Sequence, residues 1–578
     1  MITDRGTSST GAQTVLDVLL DEGVDVAFGY PGGAIMPLYD ALYGHRLRHI
    51  LVRHEAAAAF AAGAYARSTG RVGVCMATSG PGATNLVTGI VDALMDSVPL
   101  VAITGQVRTP LLGTDGFQEA DVTGITHTVT KRNFLVRSAD DIEPTIRAAF
   151  RLARGPRPGP VLVDIPQDIL RAKVEWRAPS SVPLPPNRTA PPQVDPAAIA
   201  RAVGIIAGAE RPLAIVGGGA RIADAIDEYR EFLALVGMPH SATINGLGCG
   251  APGDPYWLGM LGMHGWKAAN KAVIGTDCIV ALGMRFDDRV TGRTDKFAVG
   301  AKIIHADVDA SEFNKIIPID VALHGDLKAT LAALNNALRA AKLPRFDSWA
   351  RRAASEVSAL PTDRAQDGHL SATDVLDAFF AAAPADAVVA TDVGQHQMWA
   401  AQRCRPQHPR DFLTSAGLGT MGFGLPAAVG AQFAYPERTC VAIVGDGGFQ
   451  MSIAELATLK RYDLPVKILL IDNRNLGMVR QWQELFYDAR YSATNLSDNP
   501  DFVMIAHAYG IESEMIADPA ELPAALERFI KSPKARLLHC ACYPTENCWP
   551  MIPAGGAIED MIDKAPEKIA VPLVGAAR

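Results

Sequence analysis

Asp446 and Asn473 are the residues whose types and spacing point most directly to chemistry. Each follows a short apolar run, 441–444 for the first and 466–471 for the second. A carboxylate and an amide oxygen are hard donors that Mg²⁺ accepts, provided a phosphate and water complete its near-octahedral shell. Gly445, Gly447 and Gly448 surround the carboxylate. Without a Cβ, such residues let backbone N–H groups approach an anion beside a helix start that favours negative charge. Gly-Asp-Gly alone is an ordinary turn former. A second strand ending in Asn473 makes a cation site the stronger reading.

These two residues need a βαβ unit to position them. The run 441–444 reads as a strand, Gly445-Asp446-Gly447-Gly448 as a tight turn, 452–459 as a helix, and 466–471 as a second strand. A right-handed crossover makes the strands parallel, so both polar residues stand at carboxyl ends, where open α/β sheets bind ligands. The same alternation recurs upstream. In residues 11–170, Glu55 sits where a strand hands over to an alanine-rich helix, Thr78 opens a glycine turn that runs to Asn85, and a polar loop carries Phe117 and Gln118. A second α/β set follows residue 197, with Gly217-Gly218-Gly219 after a strand, and a third begins near residue 387. The fold class expected is α/β with three doubly wound parallel-sheet domains. The expected boundaries are 1–172, a Pro-rich linker 173–196, a central domain 197–343, a polar linker 344–368 and a C-terminal domain 369–578.

Composition narrows the function. The chain has 578 residues, 48% hydrophobic and 20% charged, with a net charge of −8. That balance leaves no electrostatic footprint for nucleic acid or an anionic membrane. No apolar run reaches the length of a spanning helix. The first ten residues are polar, with no apolar core of a signal peptide, so a cytoplasmic location is expected. The eight cysteines show no Cys-x-x-Cys pair and lie mostly in strand patterns, so buried free thiols are expected.

Several motifs together resemble one family. Gly445-Asp446-Gly447 paired with Asp472-Asn473 resembles the thiamine-diphosphate signature. The blocks at 30–34, 78–85, 113–120, 260–265, 285–292, 393–399 and 477–483 look like the catalytic subunit of the bacterial FAD-containing acetohydroxyacid (acetolactate) synthases. The likeness runs from about Gly11 to Gly556.

The resemblance implies a pyrimidine-binding N-terminal domain, a central FAD domain and a C-terminal diphosphate domain. It implies that Glu55 hydrogen-bonds the cofactor's pyrimidine and drives removal of the thiazolium C2 proton, a task that suits a carboxyl group. Thiamine diphosphate contacts would include Gly32, Thr78, Gly394, Gln395, His396, Gly419, Met421, Gly445, Gly447, Gly448 and Met478. Mg²⁺ would be held by Asp446, Asn473 and Asn475. FAD contacts would be Arg157, Gly217, Gly218, Gly219, Thr243, Leu261, His264, Gly283, Arg285, Asp287, Asp307, Val308 and Asp326. Pyruvate would lose CO₂ and its two-carbon unit would pass to a second 2-oxo acid, giving acetolactate or acetohydroxybutyrate, in branched-chain amino acid biosynthesis. Arg289 would receive the acceptor's carboxylate. Phe117, Gln118, Met263, Met478, Val479 and Trp482 would form the wall around it. The resemblance also implies a homodimer or homotetramer with a small regulatory subunit. Two positions depart from the family pattern: Ala56-Ala57 follow Glu55 where Gln-Gly or Gln-Ala is usual, and Gln167 replaces a lysine. Another thiamine-dependent carboligase or decarboxylase, or an idle cofactor-binding paralogue, are the alternative readings.

Overall fold

The computed structural model describes residues 9–174, 190–363 and 368–564, which form three α/β units, each built on a six-stranded, all-parallel sheet. The N-terminal sheet contains β1 (Val26–Gly29), β2 (Arg48–Leu51), β3 (Gly73–Ala77), β4 (Leu100–Gln106), β5 (Arg132–Leu135) and β6 (Pro160–Pro166), in the order β2-β1-β3-β4-β6-β5. The central sheet contains β7 (Pro212–Val216), β8 (His240–Ala242), β9 (Trp257–Met260), β10 (Cys278–Leu282), β11 (Lys302–Asp307) and β12 (Val321–His324), in the order β9-β8-β7-β10-β11-β12. The C-terminal sheet contains β13 (Val388–Thr391), β14 (Phe412–Leu413), β15 (Cys440–Gly445), β16 (Lys467–Asp472), β17 (Glu512–Ile516) and β18 (Arg536–Ala541), in the order β14-β13-β15-β16-β18-β17. The outer two sheets therefore share one strand order and the central sheet has another. Central strands such as β3, β4, β10 and β15 are buried along their whole length. Helices cover both faces, which explains why these strands read as continuous apolar runs rather than alternating ones.

Five helices matter for the site: α1 (Glu55–Thr69), α2 (Val87–Met95), α3 (Gly424–Ala434), α4 (Asp446–Ser452) and α5 (Gly477–Phe486). The alanine richness of α1 has a packing cause. Its residues Ala57 to Ser68 are all buried, and one continuous apolar core runs from α1 into Leu425, Ala427, Ala428 and Ala431 of α3. A Cβ on Gly430 would fall 2.8 Å from the carbonyl carbon of Ala61 and 3.0 Å from its Cα. Only small residues let two backbones approach this closely. The N- and C-terminal units are thus fused through these helices, while the central unit keeps its own core around Phe232, Val280 and Leu331.

Two expectations are refined. Residues 446–448 form the first turn of α4 rather than a loop before a helix at 452, and the helical path is interrupted at Ile453–Glu455. Glycine's weak helix propensity hides the start. The reason for the glycine is contact, because a Cβ on Gly448 would collide with the Asp392 carboxylate. The Pro-rich stretch falls largely outside the described residues. Within 344–368, helix appears at Asp347–Ala354, where the Trp349 indole N–H donates to the Pro212 carbonyl at 2.9 Å and fastens the helix to the central unit. All eight cysteines are free and buried. Among the described residues no helix is long and apolar enough to cross a membrane.

Candidate active site

β15 and β16 are adjacent and parallel, with Gly445 paired to Ile471. Asp446 and Asn473 therefore emerge side by side at the carboxyl edge, as the βαβ reading requires. A pocket opens there, lined by Gly394, Gln395, His396, Met421, Gly445, Asp446, Gly447, Gly448, Asn473, Asn475, Leu476, Met478 and Val479, among others. Every lining residue among those described belongs to the C-terminal unit.

The pocket's polar groups are fixed by a dense network. Asn473 Nδ2 donates to Gln395 Oε1 at 3.1 Å, and its Oδ1 accepts the Asn475 N–H at 3.2 Å. That oxygen keeps a second lone pair. Asn499 Nδ2 bridges two carboxylates, donating to Asp446 Oδ2 at 2.8 Å and to Asp472 Oδ1 at 3.2 Å. Burial, reinforced by the charge of Asp472, pushes the Asp446 carboxyl well above its ordinary range. Burial alone would also raise Asp472, but hydrogen bonds from the His539 ring and the Arg474 N–H outweigh it and hold that carboxyl low. Two buried acids beside three glycines form a place where a cation offsets charge. Among the described residues no cluster of three His, Cys, Asp or Glu side chains could hold a metal unaided. A cation at Asp446 would therefore draw on amide, carbonyl and ligand oxygens, a donor set that suits Mg²⁺.

His396 is buried in the wall and its Nε2 has no hydrogen-bond partner among the described residues. Burial lowers its pKa to about 3, so the ring is neutral and its orphaned nitrogen can serve a ligand. Asp392 at the end of β13 is a feature that sequence reasoning did not assign a role. Its carboxylate accepts from the N–H groups of Gly422 at 3.0 Å and Gly424 at 2.9 Å, which fixes the loop carrying Gly419 and Met421.

The other predicted site residues gather elsewhere. On the N-terminal unit, Glu55 opens α1 and accepts from Asn85 Nδ2 at 3.0 Å. Thr78 Oγ1 accepts the Ala34 N–H at 3.2 Å, and a Cβ on Gly32 would strike the Thr78 side chain. A Cβ on Gly82 would meet both Thr78 and Glu55, and one on Gly80 would meet Gln118. Phe117, next along this loop, is 88% exposed. Gly32, Glu55, Thr78 and Gln118 thus gather on the N-terminal unit, and none of them lines the C-terminal pocket of the same chain.

Arg289 stands over the Trp482 ring at 5.9 Å and approaches the Met263 sulfur at 3.8 Å, so three residues of the expected acceptor set meet between the central unit and α5. Gln167, at the departure from the lysine pattern, donates to the Gly33 carbonyl at 2.7 Å.

In the central unit, the expected nucleotide contacts all follow carboxyl ends: Gly217–Gly219 after β7, Thr243 after β8, Leu261 and His264 after β9, Gly283, Arg285 and Asp287 after β10, Asp307 and Val308 at β11, and Asp326 after β12. Strand order reverses between β7 and β10, the usual place for a ligand crevice. His264 is buried, its Nε2 has no partner among the described residues, and burial lowers its pKa to about 4. Gly217 and Gly219 have a further reason to be glycine, because a Cβ on either would press on Gly283. Arg157 reaches over from the N-terminal unit to pair with Asp309 at 2.9 Å and Glu312 at 2.6 Å.

Comparison with known proteins agrees with this architecture. Residues 9–125 match the thiamine pyrophosphate enzyme N-terminal TPP binding domain, 199–334 the central domain, and 392–540 the C-terminal TPP binding domain. The chain is 50% identical over 556 residues to the acetolactate synthase isozyme 2 large subunit of Escherichia coli K12, covering 96% of this chain and 99% of that one. It is 46% identical to the acetolactate synthase large subunit of Parasynechococcus marenigrum, covering 96% and 91%, and 43% identical to the probable acetolactate synthase large subunit of Methanocaldococcus jannaschii, covering 96% and 95%. With three matched domains in order and relatives aligned over nearly its whole length, the chain belongs to the acetolactate synthase large-subunit family of thiamine pyrophosphate enzymes.

Proposed function

We propose that the chain decarboxylates pyruvate on thiamine diphosphate and transfers the two-carbon unit to pyruvate or 2-oxobutyrate, using the pocket between β15 and β16 and a Glu55 contributed by a second copy of the chain. The observation that carries this is the pairing of Asp446 and Asn473 at neighbouring strand ends in a glycine-lined pocket. In this reading the Gly445–Gly448 backbone would hold the diphosphate, and Asp446, Asn473 and the Asn475 carbonyl would hold Mg²⁺. When bound, the cofactor supplies a nucleophilic carbon and an electron sink for loss of CO₂. The chain's residues do the rest. Neutral His396 and Gln395 orient polar atoms, and Met421 and Met478 supply apolar walls. Glu55 holds and moves a proton at a pyrimidine nitrogen. Arg289 takes the acceptor's carboxylate, while Trp482 and Val479 keep water from the reacting carbon.

Glu55 is not among the residues lining the C-terminal pocket of its own chain, so in this reading a complete site joins the Glu55 edge of one copy to the pocket of another. A homodimer or a multiple of it follows. The central strand ends, with Arg285 and a His264 Nε2 that has no partner among the described residues, suit FAD. The relatives are named as large subunits, which supports a smaller companion chain, and a cytoplasmic location suits a biosynthetic enzyme. Purified protein with thiamine diphosphate, Mg²⁺ and FAD is given pyruvate, with 2-oxobutyrate as competitor. Acetolactate is expected. Acetaldehyde alone would make the protein a decarboxylase, and no product would leave an idle cofactor-binding paralogue.

A further inference from the structure

We propose that Asp92 and Asp96, clamped by Arg67, are positioning residues that set where Met421 stands in the pocket; this rests on reading that pocket as the thiamine diphosphate site. Arg67 closes the last turn of α1, whose first residue is Glu55. Its guanidinium reaches Asp92 Oδ2 at 2.8 Å and Asp96 Oδ2 at 2.9 Å, with all three side chains at least 96% buried. The same guanidinium donates to the Thr414 carbonyl at 3.1 Å. Asp96 then takes the N–H groups of Ala416 at 3.0 Å and Gly417 at 2.9 Å, and the Asn245 amide of the central unit at 3.1 Å. Asp92 accepts the Ser415 hydroxyl at 2.5 Å, and that hydroxyl oxygen accepts the Thr420 N–H at 2.9 Å. Residues 414–420 are therefore held by carboxylates of the N-terminal unit, and 422–424 by Asp392. Met421 hangs between the two anchors and lines the pocket.

Two carboxylates share one guanidinium, and the buried Arg221 and half-buried Arg285 also act on Asp96 electrostatically, so the cluster is a desolvated ionic network. Apolar packing would join the units at lower cost, since a buried ionic cluster is weak evidence of stability. What the cluster supplies is direction, because each N–H it accepts fixes one peptide of the loop. The N-terminal unit thus shapes the pocket of its own chain through the far end of the helix that begins with Glu55.

Asp96→Asn endangers the fold by loosening Arg67, so Ser415→Ala is the discriminating variant. It removes the Asp92–Ser415–Thr420 link and leaves the ion cluster intact. Three quantities are measured: deuterium exchange at the thiazolium C2 of bound cofactor, KM for pyruvate, and amide exchange of 414–421 in cofactor-free protein. We expect C2 exchange to slow about tenfold with KM changed less than about twofold, and the loop amides to exchange about tenfold faster. Ser415→Thr should restore both rates. Parental C2 and loop exchange in Ser415→Ala, even with a lowered melting temperature, would overturn the positioning role alone. A parent protein that does not bind thiamine diphosphate would overturn the reading of the pocket along with it.

Discussion

Gly430→Ala tests the join between the two units that carry Glu55 and Asp446. The new methyl would lie 2.8 Å from the Ala61 carbonyl carbon and 3.0 Å from its Cα. Carbon atoms rest at roughly 3.5 to 4.0 Å, and the Ala61 carbonyl oxygen would be nearer still to the methyl, so α1 and α3 must separate by about 1 Å or more along a contact where both sides are backbone. Overpacking of this kind costs about 1 to 3 kcal/mol. Alanine in place of a mid-helix glycine returns about 1 kcal/mol of propensity. With backbone on both sides the overpacking falls at the upper end of that range, so the net expectation is destabilisation of about 2 kcal/mol, a drop of a few degrees in the unfolding midpoint at fixed protein concentration. Gly204→Ala is the control. Gly204 lies in the helix Pro196–Gly208, and among the described residues its notional Cβ meets nothing within 4 Å beyond its own helix backbone and chain neighbours, so the same change there should raise stability by up to about 1 kcal/mol. Scanning calorimetry of both variants without cofactor decides the matter. A Gly430→Ala protein as stable as the parent would mean that the helices are not held this closely, and the packing account of the alanine-rich α1 would fail.

Glu55→Gln should keep its cofactor affinity yet lose about 10²-fold or more of its acetolactate formation, the usual scale for a proton-transfer group; unchanged turnover would remove Glu55 from the mechanism. Mixing Glu55→Gln subunits with Asp446→Asn subunits should recover about a quarter of parental activity, since half of randomly paired dimers would hold one intact site. No recovery after verified subunit exchange would mean that one chain builds the whole site. In cation-free protein the Asp446 carboxyl titrates above its ordinary value of 3.8 because of burial and Asp472. The folded state then holds a proton that the unfolded state releases, so this group's contribution to stability falls as pH rises through the interval between its unfolded and folded pKa values. Chelator-treated parent protein should lose more thermal stability than Asp446→Asn between mildly acidic and mildly alkaline pH, and Mg²⁺ with thiamine diphosphate should bind more tightly as pH rises. Parallel pH profiles for the two proteins would sink this.

The parts of the site that could be read from sequence are those encoded by local order. Strands buried on both faces appear as apolar runs, and a parallel sheet puts the residue after each run at the ligand edge, so Asp446, Asn473 and the central strand ends could be placed without contacts. What stayed hidden depends on long-range contacts. Asp392 acts on Gly422 and Gly424, 30 and 32 positions away, and looks in sequence like any strand-end acid. Asn499 bridges Asp446 and Asp472 from a loop with no periodic signal. Arg67, Asp92 and Asp96 look like ordinary charges on helical surfaces until residues 414–417 cover them. The start of α4 was obscured because glycines chosen for contact lower the very propensity that marks a helix.

The shared strand order of the outer units carries the last step. Each presents a strand edge with a glycine turn and an acid, Glu55 near Gly82 in one and Asp446 beside Gly445 and Gly447 in the other. Within one chain α1 and α3 pack back to back, and this uses the small-residue faces on both helices. Glu55 accepts from Asn85 of its own unit and is not among the residues that line the Asp446 pocket of the same chain. A second copy can supply the missing edge while each chain keeps its internal join. The alanines of α1 and the glycines of α3 thus fix the Glu55 edge and the Asp446 pocket in place on one chain, and the function proposed above requires a second copy to bring such an edge and such a pocket together.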